Sequence, residues 1–140
     1  MTIKEIQEEI IDEFSMFDDW MQRYEYIIEL GKSLPLIKEE YKVKNNLITG
    51  CQSKVWLHSE IENGLLQYTA DSDAILTKGI VALLLRVFNQ QKPKDVLAAD
   101  LYFIDEIGLK EHLSPTRANG LVSMIKQIKL YALAFQSKLN

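Results

Sequence analysis

The segment from Val55 to Ser72 carries the pattern that most restricts how this chain can fold. Apolar residues alternate with other residues on both sides of an Asn63-Gly64 pair, at Val55, Leu57, Ile61, Leu66, Tyr68 and Ala70. Asn-Gly supplies the two positive-φ positions of a type I′ turn, which joins neighbouring antiparallel strands. The sequence therefore predicts a β-hairpin with a two-residue turn.

A two-residue turn also fixes which residues of the two strands face each other. The predicted pairs are Glu62–Leu65, Ile61–Leu66, Ser59–Tyr68, Leu57–Ala70 and Val55–Ser72. This register puts the apolar positions of both strands on one face. One further step places Lys54 opposite Asp73, so Cys51 is predicted just beyond the hairpin, near the start of the next segment.

That next segment, residues 74–91, is apolar over most of a helix circumference and predicts a buried helix. Asp71, Ser72 or Asp73 is expected to cap it. Helical spacing also predicts helices at residues 2–14 and about 18–33, a short helix around 94–98, and a long helix that starts at Pro115 behind Ser114. Gly108 is expected to divide the segment before that long helix.

The order of these elements predicts an α+β fold, with helices packed on one face of a small antiparallel sheet. A chain of 140 residues fits one domain, residues 1–140. Because an isolated hairpin is marginally stable, we expect a third strand, either from Leu47 to Gly50 or around Leu101 to Ile104.

Composition excludes several classes of function. The net charge of −4 argues against a general nucleic-acid binder. A single cysteine rules out an intramolecular disulfide, and no Cys/His cluster predicts a structural metal. The charged N-terminus is unlike a secretory signal, so a cytoplasmic location is expected. The longest apolar run is broken by Arg86 and is too short to span a membrane.

Cys51 is the first candidate for chemistry, although a free cysteine is more often buried and inert. Gly50 before it permits a tight loop, and Gln52 and Ser53 after it are polar. The register places this loop beside a helix N-terminus, whose partial positive charge favours a thiolate. Two aspartates at the same helix end oppose that effect, so the residues alone leave the direction of the pKa shift open.

A cysteine-nucleophile hydrolase or transferase needs a base beside its thiol. His58 lies on the non-core face of its strand, on the order of 20 Å of extended chain from Cys51, which favours a solvated strand histidine. His112 can approach Cys51 only through the fold, and an ordinary surface role is favoured. Nothing in the sequence supports a Cys–His pair.

Three other residues stand out. Arg117 lies in the first turn of a helix, where a cation opposes the helix dipole by roughly 0.3–1 kcal/mol; it is either solvated or ion-paired, or it contacts an anion or a partner. Gly120 in the same helix costs about 1 kcal/mol relative to alanine, which suggests close packing or a kink. Trp56, on the polar strand face, is either covered by a helix or an anchor for a partner.

Four blocks of the sequence resemble the SufE family. They are YIIELGKSLP at residues 26–35, GCQSKVW at 50–56, DSDAILTKGIVALL at 71–84 and HLSPTRANGL at 112–121. They occur in the family's order and cover most of the chain, and the length also agrees. The resemblance implies the SufE/NifU scaffold fold, a small antiparallel sheet with packed helices.

The resemblance also implies a function, sulfur transfer in iron–sulfur cluster assembly. A PLP-dependent cysteine desulfurase of SufS or Csd type would pass persulfide sulfur to Cys51, which would relay it to a cluster scaffold complex. The chain would be a sulfur carrier and desulfurase activator, not an enzyme, with no cofactor of its own. The family's supporting loop and partner surface match Gly50, Gln52, Ser53, Asp73 and Arg117.

Transpersulfidation needs one nucleophilic cysteine on a loop that can extend, and little acid–base equipment. A persulfide carrier also benefits from shielding, so we expect Cys51 to be largely covered and to become accessible by loop motion. An iron–sulfur scaffold is disfavoured because one cysteine cannot hold a cluster. A hydrolase or transferase, or a non-catalytic interaction module, remains the alternative, and a homodimer stays open.

Overall fold

The structure, a computed structural model, describes residues 1–139 and has the predicted α+β architecture. Its elements in chain order are α1 (Ile3–Phe14), α2 (Trp20–Leu30), β1 (Val55–Glu62), β2 (Leu65–Ser72), α3 (Ile75–Phe88), α4 (Pro93–Ala98), α5 (Phe103–Glu106) and α6 (Pro115–Leu139). Short 3₁₀ turns occupy Gly31–Ser33, Glu39–Tyr41, Lys44–Asn46 and Lys110–His112. Across residues 1–139, no helix combines the length and the apolar character that crossing a membrane requires.

The hairpin has the predicted register in every pair, from Val55 opposite Ser72 to Glu62 opposite Leu65. Asn63 and Gly64 both have positive φ, at 54° and 80°, as a type I′ turn requires. The ladder continues by the predicted step, since the Asp73 N–H donates to the Lys54 carbonyl at 3.3 Å. The position of the segment before β1 is therefore set by the hairpin.

The helices bury the apolar face of this hairpin. Helix α3 is the most buried element, and α1, α2 and α6 surround it; the core includes Ile10, Phe14, Ile27, Leu57, Tyr68, Leu84, Phe88 and Leu121. The Tyr68 hydroxyl donates to the carbonyl of Ile128 at 2.7 Å, which ties β2 to α6. This contact holds α6 in a fixed place relative to the hairpin.

Helix α2 crosses α3 at an unusually close distance. A Cβ atom added to Gly79 of α3 would lie 2.7 Å from the carbonyl carbon of Ile27 and closer still to its oxygen. Gly31, at the end of α2, faces the Gly79 backbone with its own hypothetical Cβ at 3.2 Å. The two helix backbones therefore touch directly, with no side chain between them.

The second face of the hairpin is partly covered by the connection between α2 and β1. The Tyr41 ring stacks on the His58 ring with centroids 3.8 Å apart. The Lys42 ammonium lies 5.4 Å from the centre of the Trp56 ring. The Trp56 ring is thus partly covered by this connection, and not by a helix as one of the two sequence alternatives had it.

The expected third strand is wrong for the described residues, where the sheet has two strands. Leu47 forms only an isolated bridge to Trp56, because the 3₁₀ turn Lys44–Asn46 and the positive φ of Gly50 leave too short an extended stretch between them. The segment Leu101–Ile104 instead leads into α5. Leu36 adds one parallel bridge at the opposite edge, to Ala70.

The expected side-chain cap of α3 is also wrong. Ala74 occupies the N-cap position, with no capping hydrogen bond from a side chain. The Asp71 carboxylate instead pairs with Lys42 at 2.7 Å and Lys78 at 3.4 Å. Asp73 accepts a hydrogen bond from the backbone N–H of Lys54 at 3.0 Å. Both carboxylates are therefore used by the hairpin and its surroundings.

Candidate functional site

Cys51 lies on a short loop, residues 49–54, which we call the Cys51 loop. On the N-terminal side the Ile48 N–H donates to the Val55 carbonyl at 2.9 Å, and on the C-terminal side Lys54 pairs with Asp73. Gly50 has φ of 90°, a conformation that L-residues with side chains rarely adopt. The loop is thus pinned at both ends, and its tip projects beyond the hairpin.

The tip of the loop lies against the first turns of α6. The Cys51 thiol donates a weak hydrogen bond to the carbonyl oxygen of Gly120, with Sγ and O 3.6 Å apart. A Cβ atom added to Gly50 would lie 2.5 Å from the Ser123 hydroxyl, so glycine permits this close approach as well. Gly120 and Ser123 together form the surface on which the loop rests.

Contact with α6 leaves Cys51 half-buried, so the expected shielding is partial. Burial raises the pKa of the Cys51 thiol above its usual range, because desolvation penalises the thiolate. The direction that the sequence left open is therefore set by burial, which disfavours the thiolate in the closed loop.

A small pocket of about 10 Å³ opens beside the Cys51 sulfur. We call it the Cys51 pocket; besides Cys51, its lining residues are Gln52, Ser53, Thr77, Ile80, Thr116, Arg117, Gly120 and Met124. The first turns of two helices contribute to it, α3 through Thr77 and α6 through Thr116 and Arg117. The N-terminal ends of helices carry partial positive charge, which opposes the desolvation that raises the pKa of Cys51.

The structure brings most of the predicted site residues together. Gln52, Ser53 and Arg117 line the Cys51 pocket, and Gly50 lies next to it on the loop. The Arg117 side chain is exposed, and within residues 1–139 no carboxylate lies at ion-pair distance from it. Asp73 is outside the pocket and holds the end of the loop instead.

Five lining residues of the Cys51 pocket were not among the predicted site residues: Thr77, Ile80, Thr116, Gly120 and Met124. Gly120 carried a signal in the sequence, a glycine early in a long helix; it lies against Cys51, although a Cβ atom added there would make only ordinary contacts, the nearest at 3.5 Å. Thr77 carried no signal, because nothing in the order of residues shows which side of α3 faces the loop. It is 5% exposed and lines the pocket opposite α6.

Both histidines are engaged away from the Cys51 pocket. His58 is not fully solvated, since it stacks on Tyr41 and its Nε2 lies 3.2 Å from Glu60 Oε1. The His112 ring stacks on that of Trp20, and its Nδ1 lies 3.0 Å from the Gly108 carbonyl. Neither ring lines the pocket. In the described part of the chain, no three His, Cys, Asp or Glu side chains are grouped to bind a metal ion.

Comparison with known proteins identifies relatives along nearly the whole chain. The SufE family, described as an Fe-S metabolism associated domain, matches residues 8–132. An uncharacterized SufE-like protein of Rhizobium etli is 42% identical over 127 residues, covering 87% of this chain and 86% of the relative. One from Rhizobium meliloti is 43% identical over 127 residues, covering 87% and 91%.

A solved structure shares the fold at a lower level of sequence similarity. The solution structure of a hypothetical protein from Thermus thermophilus superimposes with a TM-score of 0.78 at 19% identity. The match covers 94% of this chain and 96% of that protein. This similarity supports the architecture described above and carries no information on chemistry.

Proposed function

This chain belongs to the SufE family, whose members take part in Fe–S metabolism, and we propose that it serves there as a sulfur acceptor that carries a persulfide on Cys51. The sulfur donor in this proposal is a PLP-dependent cysteine desulfurase of the SufS or Csd type. The recipient is the scaffold complex on which iron–sulfur clusters are built. The whole chain acts as one carrier domain in a reducing cytoplasm.

The proposed transfer is a thiol–disulfide type of exchange that needs no external oxidant. The thiolate of Cys51 attacks the outer sulfur of the donor's cysteine persulfide, and the donor's S–S bond breaks as a new S–S bond forms on Cys51. The donor cysteine leaves as a thiolate, and the outer sulfur keeps its proton or negative charge. Removing this product from the desulfurase frees it for another turnover.

The observation that carries the proposal is the position of the only cysteine of the chain. Cys51 lies at the tip of a loop pinned at both ends, and its thiol is held only by one weak hydrogen bond to α6. Such a tip can leave α6 without disturbing the hairpin that supports it. With no second cysteine in the chain, a persulfide on Cys51 has no intramolecular thiol to attack it.

Burial of the thiol gives loop opening a chemical role. The raised pKa of Cys51 makes the closed form a poor nucleophile, because the thiolate is the attacking species. When the loop leaves Gly120, the thiol loses its carbonyl partner and regains solvent or the donor's polar site, and its pKa falls toward the ordinary range. In this proposal Cys51 therefore becomes the more reactive thiolate only when the loop is open and the thiol has reached the donor's persulfide.

Incubation with a cognate desulfurase, cysteine and PLP tests the proposal directly. Intact mass measurement should show a gain of about 32 Da, one sulfur atom, which is removed by dithiothreitol and maps to Cys51. The rate of alanine production by the desulfurase should rise when the protein is added. Cys51→Ser should abolish both effects, whereas Thr49→Ser, a small change at an exposed position of the same loop, should retain both.

No mass gain together with unchanged alanine production would refute the sulfur-acceptor proposal. Stimulation that persists in Cys51→Ser without sulfur loading would support a plain interaction module instead. Turnover of acyl substrates that depends on Cys51 would support a hydrolase or transferase.

A further inference from the structure

Helix α6 differs in charge from the rest of this protein. Its basic residues are Arg117, Lys126, Lys129 and Lys138, and it contains no aspartate or glutamate. Residues 1–114 hold the other 12 basic side chains and all 20 acidic ones. The net charge of −4 is therefore divided unevenly, with α6 as the basic element of an acidic protein.

The cations of α6 are not neutralised by the part of the chain that the structure describes. Among residues 1–139, no carboxylate lies at ion-pair distance from any of the four. Lys129 donates to the carbonyl oxygen of Ala99 at 2.7 Å, and Lys138 lies 5.6 Å from the centre of the Phe135 ring. Lys126 is exposed. The helix therefore presents its positive charge to whatever approaches it from outside.

The outer side of α6 also carries large apolar side chains. Val122, Leu130 and Leu133 are 50%, 47% and 51% exposed. With 3.6 residues in each turn, these three share one side of the helix with Lys126, and Gly120 faces Cys51 from the opposite side. We call Val122, Lys126, Leu130 and Leu133 the outer α6 face. A single exposed leucine is ordinary, whereas a row of aliphatic residues marks an interaction surface.

The outer α6 face has the dimensions and pattern of a helix-docking surface. From Val122 to Leu133 it extends about 16 Å along the helix axis, the length of about three helical turns. A partner helix with apolar residues at i, i+3, i+4 and i+7 can pack along such a row. Acidic residues beside those apolar positions would meet Lys126 and Lys129. The surface therefore fits an amphipathic helix of negative charge.

Two other occupants match this surface less well. A second copy of the outer α6 face would bring lysines of like charge together, which opposes association. An anionic bilayer would attract the lysines, but this face has none of the aromatic side chains that anchor helices at a membrane surface. The net charge of −4 also repels an anionic bilayer. Charge therefore favours an acidic protein segment.

We propose that the outer α6 face is a docking surface for an acidic amphipathic helix of a partner protein. Binding removes the exposed aliphatic side chains from water and places carboxylates of the partner beside Lys126. Because Cys51 lies against the opposite side of α6, the docked helix leaves the Cys51 loop free. The protein can then hold this partner while another protein reaches Cys51. The docking needs no sulfur on Cys51, so it stands apart from the proposed function.

Binding of a synthetic peptide to the full chain tests the proposal. The peptide is a fluorescent helix of about four turns, with leucines at i, i+3, i+4 and i+7 and glutamates at the flanking positions. Fluorescence polarisation should show saturable binding in the micromolar range, which added salt should weaken. A peptide with lysine in place of each glutamate should not bind. Saturating acidic peptide should leave the rate of Cys51 alkylation by iodoacetamide unchanged.

Two substitutions test the charge and the apolar row separately. Lys126→Glu should weaken binding of the acidic peptide on the order of tenfold, because it replaces an attraction by a repulsion. Leu133→Ala should weaken it by a similar factor, since most of one buried side chain is lost while the helix is kept. Matched controls make comparable changes at exposed positions elsewhere, Lys44→Glu before β1 and Met21→Ala in α2. Both controls should keep the wild-type affinity.

Several outcomes would overturn the docking surface. They include no saturable binding of the acidic peptide, equal binding of the lysine peptide, and unchanged affinity in both Lys126→Glu and Leu133→Ala. Binding to vesicles of phosphatidylcholine and phosphatidylglycerol, without binding of the peptide, would identify a membrane contact instead. Dimerisation in sedimentation velocity that Leu133→Ala abolishes would identify an interface between copies. Sulfur loading of Cys51 is measured separately, so neither proposal falls with the other.

Discussion

Two glycines bring helices of this protein close to a neighbour, but they do so for different reasons. At Gly79 the α3 backbone lies against the carbonyl group of Ile27, and an added Cβ would be 2.7 Å from that carbonyl carbon. At Gly120 the α6 backbone faces Cys51, and an added Cβ would have no contact shorter than 3.5 Å. The first site is filled, and the second retains space for about one more atom.

The difference separates a packing contact from a surface that is occupied intermittently. Ile27 and Gly79 belong to helices whose relative position is fixed by the core, so no space remains between them. The Cys51 loop rests on α6 through one weak hydrogen bond and the close approach of Gly50 to Ser123. A substitution at Gly79 should therefore change the stability of the protein. Substitutions at Gly50 and Gly120, where the Cys51 loop meets α6, should instead change how the loop closes.

The largest effect is expected for Gly79→Ala. Its methyl group would overlap a backbone carbonyl that cannot move without separating α2 from α3, so we expect a loss of about 3 kcal/mol in the free energy of unfolding. Urea denaturation followed by circular dichroism measures it. Gly64→Ala is the control, because nothing lies within 4 Å of its Cβ position and only the positive φ opposes it, at roughly 1–2 kcal/mol. Equal losses in the two variants would show that α2 and α3 are not packed as described.

An intermediate effect is expected for Gly50→Ala. A side chain is unfavourable at φ of 90°, by roughly 1–2 kcal/mol, and its Cβ would press on the movable Ser123 hydroxyl. The strain is confined to the closed loop, so alkylation of Cys51 by iodoacetamide should become faster at neutral pH. Adding Ser123→Ala should relieve the steric part and recover some protection. Unchanged alkylation in Gly50→Ala would mean that the loop does not rest on α6 in solution.

A smaller effect of opposite sign is expected for Gly120→Ala in the reduced protein. Because the methyl group fits and alanine is the better helix former, the free energy of unfolding should rise by about 0.5–1 kcal/mol. Thermal unfolding should show a melting temperature higher by roughly 3 °C. A lower melting temperature would place Gly120 in the same class as Gly79 and remove the contrast between the two sites.

The smallest effect is expected in the titration of Cys51. Burial penalises the thiolate, so the pH profile of alkylation in the folded protein should have its midpoint above the ordinary value of about 8.5 for a cysteine thiol. In urea the midpoint should fall to that ordinary value. The midpoint for folded Gly50→Ala, in which the loop is held less tightly, should lie between the midpoint of the folded wild type and the midpoint in urea. A folded-state midpoint below about 8.5 would show that the helix N-termini outweigh desolvation.

Most of the fold follows from local patterns in the sequence. The Asn63-Gly64 turn fixes the hairpin register, and two of its consequences are confirmed, the Lys54–Asp73 pairing and the position of the Cys51 loop near α3. These predictions succeed because a tight turn couples residues through the backbone, without reference to the rest of the molecule. The start of α1 is local in the same way, since Thr2 and Glu5, three residues apart, form a capping box there.

The parts that sequence could not supply depend on contacts between distant segments. The hydrogen bond of Cys51 to Gly120 joins residues 69 positions apart. The predicted capping of α3 by Asp71 is wrong because the Asp71 carboxylate is paired with Lys42. Lys42 belongs to the connection that crosses the second face of the hairpin, a contact between distant segments. The third strand fails because two buried neighbours, Phe103 and Ile104, resemble a strand segment but occupy a short helix. The place of Thr77 beside the Cys51 loop likewise depends on how α3 packs in the fold.

The single-atom size of the Cys51 pocket has a consequence for stoichiometry. Under the proposed function, a closed loop accommodates one outer sulfur, and a trisulfide or longer chain on Cys51 would hold the loop away from α6. Chains longer than a persulfide would then remain exposed to cellular thiols, which shorten them. The protein would in this way carry one sulfur atom for each loading of Cys51.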